Sequence, residues 1–129
     1  MMVLNMHEAN MIAEPEISQE TIQYFRDRYG NRFIRALRAV EEGNVKLYTF
    51  QPSGTSLWVV SGREHDYLVM PSVFCSCRSF YQDVVIARKA PFCYHLLAQR
   101  IAEIRGQYKT INKSDSARRS LLAMLRNAV

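Results

Sequence analysis

The chain has 129 residues, 48% of them hydrophobic and 22% charged, a composition that suits one globular domain and excludes a disordered or low-complexity array. Its formal charge of +5 favours acidic partners, and no apolar run approaches the length of a membrane span. The core such a length allows is modest, short of what most enzymes build on.

Residues 1–16 scatter Val3, Leu4 and Ile12 among polar neighbours without clean periodicity, so a flexible tail is expected there, with a single domain over 17–129. The acidic and polar residues of this opening stretch do not read as a signal peptide, which points to an intracellular protein. Ser18, with Glu20 two residues on, marks a helix start, and Ile22, Phe25 and Tyr29 supply its apolar face. Gly30-Asn31 interrupts, and a second helix is expected over 32–42 with Phe33, Ala36, Leu37 and Val40 on one side. Arg28, Arg32, Arg35 and Arg38 fall on another side, a pattern whose default is a solvated face and whose alternative is contact with phosphate or an acidic partner.

After Gly43-Asn44 the period changes. Segments 45–51, 57–61 and 67–70, rich in β-branched and aromatic residues and separated by Pro52-Ser53-Gly54 and Gly62-Arg63-Glu64, read as an antiparallel meander with Trp58 in the core. Pro71 ends the third strand. A short helix is expected over 78–89 and a longer one over 94–105, closed by Gly106. A linker containing Tyr108 and Ile111 follows, and then Ser114-Asp115-Ser116 caps a last helix that turns Ala117, Leu121, Leu122 and Leu125 inward. The fold class is therefore α+β: N-terminal helices, a small meander and a C-terminal helix.

Every cysteine lies in Cys75-Ser76-Cys77 or Cys93-Tyr94-His95, alongside one of the three histidines. His7 and His65 read as surface residues. In extended backbone i and i+2 leave the same face, so Cys75 and Cys77 converge from a strand end. Within a helix i and i+2 are nearly opposed, so Cys93 must precede the helix that carries His95; there the helix dipole favours its thiolate. Three thiolates and an imidazole fill a tetrahedral Zn²⁺ site and leave no open position, which makes the site structural. The competing readings, buried small hydrophobes, a redox pair or a nucleophile with its base, account less well for four donors gathered in two x-spaced pairs, and no third group orients a catalytic dyad.

Cys-x-Cys, a spacer, Cys-x-His and then Ala98 three residues on resemble the SWIM-type zinc finger, here spanning about 67–105. The short chain and the run from Cys93 to Ala98 are further similar to the small SWIM-finger subunit of the Shu-type recombination complex. The resemblance implies that Cys75, Cys77, Cys93 and His95 bind zinc, that Ala98 supports the surrounding fold, and that the protein is a non-catalytic partner of a RecA-family recombinase paralogue in homologous recombination. It would then act in the nucleus of a eukaryote or the cytoplasm of a prokaryote.

Charge is uneven: residues 78–129 carry ten basic against three acidic side chains, +7, and residues 1–77 carry −2. Arg100, Arg105, Lys109, Arg118 and Arg119 are the candidate contacts with nucleic acid or a partner, with Tyr108 as a candidate base-stacking ring. Two functions are thus expected in competition, an adaptor that partners a recombinase paralogue, and a stand-alone DNA-binding module acting in transcription, chromatin or transposition. No paired carboxylates or cofactor loop suggest an enzyme.

Overall fold

A computed structural model of the chain describes residues 3–126. Three helices lead: α1 (Met6–Ile12), α2 (Gln19–Tyr29) and α3 (Asn31–Glu41). The first corrects the expectation of a flexible tail. Asn5 and Glu8 form a capping box, the Asn5 side chain accepting from the Glu8 N–H at 2.8 Å and Glu8 accepting from the Asn5 N–H at 3.1 Å. Val3, Leu4 and Ile12 are buried in the common core. The Glu8 carboxylate, also buried, accepts from the Tyr29 hydroxyl at 2.9 Å and pairs with Arg28 Nε at 3.1 Å. These long-range contacts, rather than local periodicity, order the segment.

Ser18 caps α2 as expected, accepting from the Thr21 N–H. The expected break falls on Gly30, whose φ of +67° turns the chain from α2 into α3 in one residue. Phe25 stacks on Phe33 across that corner, with ring centroids 4.8 Å apart.

The meander forms β1 (Val45–Gln51), β2 (Ser56–Ser61), β3 (Asp66–Met70) and a two-residue β4 (Phe74–Cys75), all antiparallel. The expected linker is instead a strand, β5 (Lys109–Ser114), which runs parallel to β1 with Leu47 opposite Thr110 and Tyr48 opposite Ile111. Sheet order is β4-β3-β2-β1-β5. Five of its six residues are exposed, so β5 lacks an apolar signal, and its lysines suit an edge strand.

Two further helices, α4 (Tyr94–Arg105) and α5 (Asp115–Arg126), cover opposite faces of this sheet. Val45, Val60, Val69 and Cys75 share one face and merge with Phe33, Ala36, Leu96, Leu97, Ala98 and Ile101 in a single core. Helices α3 and α4 pack on each other, and both bury small residues, Ala36 and Ala39 on α3 and Ala98 and Ala102 on α4. On the other face lie Phe50 and Val59, beneath α5. Of the four α5 residues expected inward, Leu125 is buried; Ala117, Leu121 and Leu122 are half-buried. Asp115 ties the start of α5 to the β1–β2 hairpin, accepting from the Ser53 N–H at 3.1 Å and the Ser53 hydroxyl at 2.7 Å. Trp58 is half-buried and meets Tyr108 edge to face at 4.8 Å. Tyr108 is thus engaged with the sheet, where the sequence suggested a ring free to stack on a base.

Between β4 and α4 the expected short helix is present over Phe80–Ile86, wound as a π-helix, with Ala87 N–H closing on the Gln82 carbonyl five residues back.

Candidate metal centre

Cys75 arrives on β4, paired with Val69. The next residue fixes the knuckle: the Ser76 N–H donates to the Leu68 carbonyl and the Leu68 N–H donates to Ser76 Oγ, each at 3.0 Å. Holding Ser76 to β3 from both sides lets its two flanking sulfurs turn the same way. Cys77 Sγ accepts from the Phe80 N–H at 3.3 Å, where the π-helix begins. Cys93 is the N-cap of α4 with extended backbone (φ −86°, ψ 169°), and His95 is the second helical residue. This is the arrangement that the i, i+2 argument requires. One donor atom from each of Cys75, Cys77, Cys93 and His95 lies within 4.8 Å of all the others, and all four residues are buried.

The imidazole points to a metal. Both ring nitrogens of His95 are buried without a hydrogen-bond partner, an arrangement that costs about 1–3 kcal/mol for each stranded group unless a ligand bond replaces it. The imidazole lies between two aromatic rings, Tyr94 at 3.9 Å and Tyr67 at 4.6 Å between centroids, which fix its orientation. Charge argues likewise. Hydrogen bonds from Cys75 and Cys93 hold the Cys77 thiol well below its ordinary value, and the bond to Cys77 pushes Cys75 well above. Cys93, drawn down by Cys75 but pushed up by Cys77 and by burial, is raised to about 12. Three buried sulfurs this close together oppose one another's ionisation, and a dication is the countercharge that stabilises all three as thiolates. Three thiolates with one imidazole at this spacing fit Zn²⁺ in a closed tetrahedral site, and they would hold it without an open position.

Ala98 is fully buried one turn beyond His95. The basic residues singled out from the sequence do not converge. Arg100 and Arg105 lie on α4, Arg118 and Arg119 on α5 across the sheet, and Lys109 opens β5 at its edge. Arg105 is committed internally: its guanidinium donates to the carbonyls of Ile12 at 2.9 Å, Glu14 at 2.8 Å and Pro15 at 3.2 Å, strapping the N-terminal segment to α4. Arg100 pairs with Glu103 at 3.3 Å. The roles of Ser76 and Tyr67 were not legible in the sequence. Ser76 had one signal, its place between two ligands, whereas Tyr67 had none.

The ligand cage, with the Cys-x-Cys on a strand end and the Cys-x-His at a helix start, is compatible with a zinc finger of the SWIM type. The chain is similar to the zinc finger SWIM domain-containing protein 7 homolog of Dictyostelium discoideum, 29% identical over 102 residues that make up 78% of this chain and 65% of that relative. No family model matches the chain.

Proposed function

We propose that the protein is a zinc-binding, non-catalytic adaptor that partners a RecA-family recombinase paralogue and supports homologous recombination. The filled coordination sphere favours a structural role for the metal, because no position remains for water or substrate. The observation that carries the adaptor reading is the exposed apolar surface on the two segments flanking the ligand knuckle. Val73 is 67% exposed, Tyr81 61% and Ile86 62%, with Met70, Phe74 and Val85 also open to solvent. Six such side chains beside one rigid centre are characteristic of an interaction site. The metal would hold this surface in shape, and partner binding would cover it.

The test is co-purification of the tagged full chain from cells, with identification of the bound proteins. Recovery of a recombinase-like ATPase, abolished in Val73→Asp and Ile86→Asp variants that keep their zinc and melting temperature, is the expected result. Absence of any such ATPase, or its undiminished recovery with both variants, overturns the adaptor reading.

A further inference from the structure

A cleft of about 610 Å³ opens between α3, the β2–β3 hairpin and the first turn of α4, and three guanidinium groups line it, Arg35, Arg38 and Arg63. All three side chains are exposed. Among the described residues none of the three forms an ion pair or donates a side-chain hydrogen bond, whereas Arg28, Arg100 and Arg105 each have partners. One carboxylate, Glu42, also lines the cleft, and Asn44 and Ser61 add neutral polar groups.

The framework is rigid. Arg35 and Arg38 stand one turn apart on α3, and the Arg35 guanidinium lies over the Tyr94 ring, 4.2 Å from its centroid. Stacking of this kind orients the plane of the guanidinium and leaves its N–H edges available to a ligand. Arg63 projects from a tight hairpin in which the Gly62 N–H donates to the His65 carbonyl at 2.7 Å. A Cβ on Gly62 would lie 2.9 Å from the Tyr67 ring, so the turn closes against the side chain that also packs on His95. The cleft therefore shares the first turn of α4 with the metal centre, and Tyr94 and Tyr67 connect the two.

We propose that this cleft binds the phosphodiester backbone of a nucleic acid. Guanidinium forks match phosphate oxygens in geometry and charge. The alternative anion, an acidic peptide, is disfavoured by the lining: apart from Tyr94, already covered by Arg35, and Ala39, the walls offer no apolar anchor. Peptide recognition draws most of its energy from such anchors, whereas a sugar-phosphate chain gains affinity from charge neutralisation alone. This cleft lies at a different place from the C-terminal basic residues, and its binding does not depend on a recombinase partner.

The test is fluorescence anisotropy of the zinc-loaded full chain with labelled oligothymidylate and with a labelled duplex, over a range of salt. Saturable, salt-sensitive binding to one or both is expected. The Arg35→Ala/Arg38→Ala/Arg63→Ala variant should bind at least about 10-fold more weakly, with a salt slope shallower by about 0.7–0.9 for each phosphate no longer neutralised. Arg118→Ala/Arg119→Ala should change affinity less than about threefold. If the triple variant releases zinc or melts early, the single Arg63→Ala on its exposed turn replaces it, with affinity reduced by about threefold or more. Absence of saturable binding, wild-type affinity in the variants of Arg35, Arg38 and Arg63, or competition by a polyglutamate peptide as strong as by unlabelled oligonucleotide overturns the assignment. Since no partner protein enters the assay, its failure leaves the adaptor reading standing, and the reverse also holds.

Discussion

Removing the metal should unfold the C-terminal architecture. The four ligands join β4, the knuckle and the N-terminus of α4, and they sit in one core with Phe80, Phe92, Leu96 and Leu97. Zinc in a site of this donor set contributes about 10–16 kcal/mol in apparent terms. A domain this size has a total stability of about 5–15 kcal/mol. The first quantity is as large as the second, so the apo chain should lose its cooperative fold and not merely soften. A strong chelator should collapse the helical circular-dichroism signal and abolish the melting transition, and added Zn²⁺ should restore both. His95→Ala should weaken zinc by more than the roughly 10–100-fold seen when groups outside a coordination sphere are changed. Since cysteine binds as thiolate, apparent affinity should fall as pH falls. Purified protein without stoichiometric zinc, or a chelated sample with unchanged melting, would refute the reasoning.

Two substitutions probe the surrounding frame. Ala98→Leu adds volume where α4 lies fully buried within the joint core, and should destabilise by about 1–3 kcal/mol in urea titrations of the zinc-bound protein; a change below about 0.5 kcal/mol would mean that the site relaxes freely. Glu8→Ala strands the Tyr29 hydroxyl and the Asn5 N–H, and should cost about 1–3 kcal/mol by the same measurement, accompanied by faster proteolysis within residues 3–16. Wild-type protection there would show that α1 docks through its apolar residues alone.

The convergence of Cys75, Cys77, Cys93 and His95 was legible because its information is local. Two short pairs of donors carry their own geometric rule, and that rule placed Cys75 at a strand end and Cys93 ahead of a helix. Helices α2 and α3 and the three longer strands were legible for a related reason, since caps, glycines and apolar periods are properties of neighbouring residues. The N-terminal helix and β5 were not. For α1 the decisive contacts are that of Glu8 with Tyr29, 21 residues away, and that of the Ile12 carbonyl with Arg105, 93 residues away. In β5 the pairing partner is the open backbone edge of β1, to which side-chain pattern gives no clue.

Charge shows the same division. The sequence established how many arginines and lysines the chain carries, and their excess beyond residue 77 drew attention to the C-terminal half. Folding then separated those groups onto two faces and engaged Arg105 with three carbonyls. It gathered Arg35, Arg38 and Arg63, from a helix and a distant hairpin, around one cleft. Composition fixes the sum of the charges, but the electrostatic field at a point depends on distances, and those distances arise only when the sheet brings α3, α4 and the hairpin together.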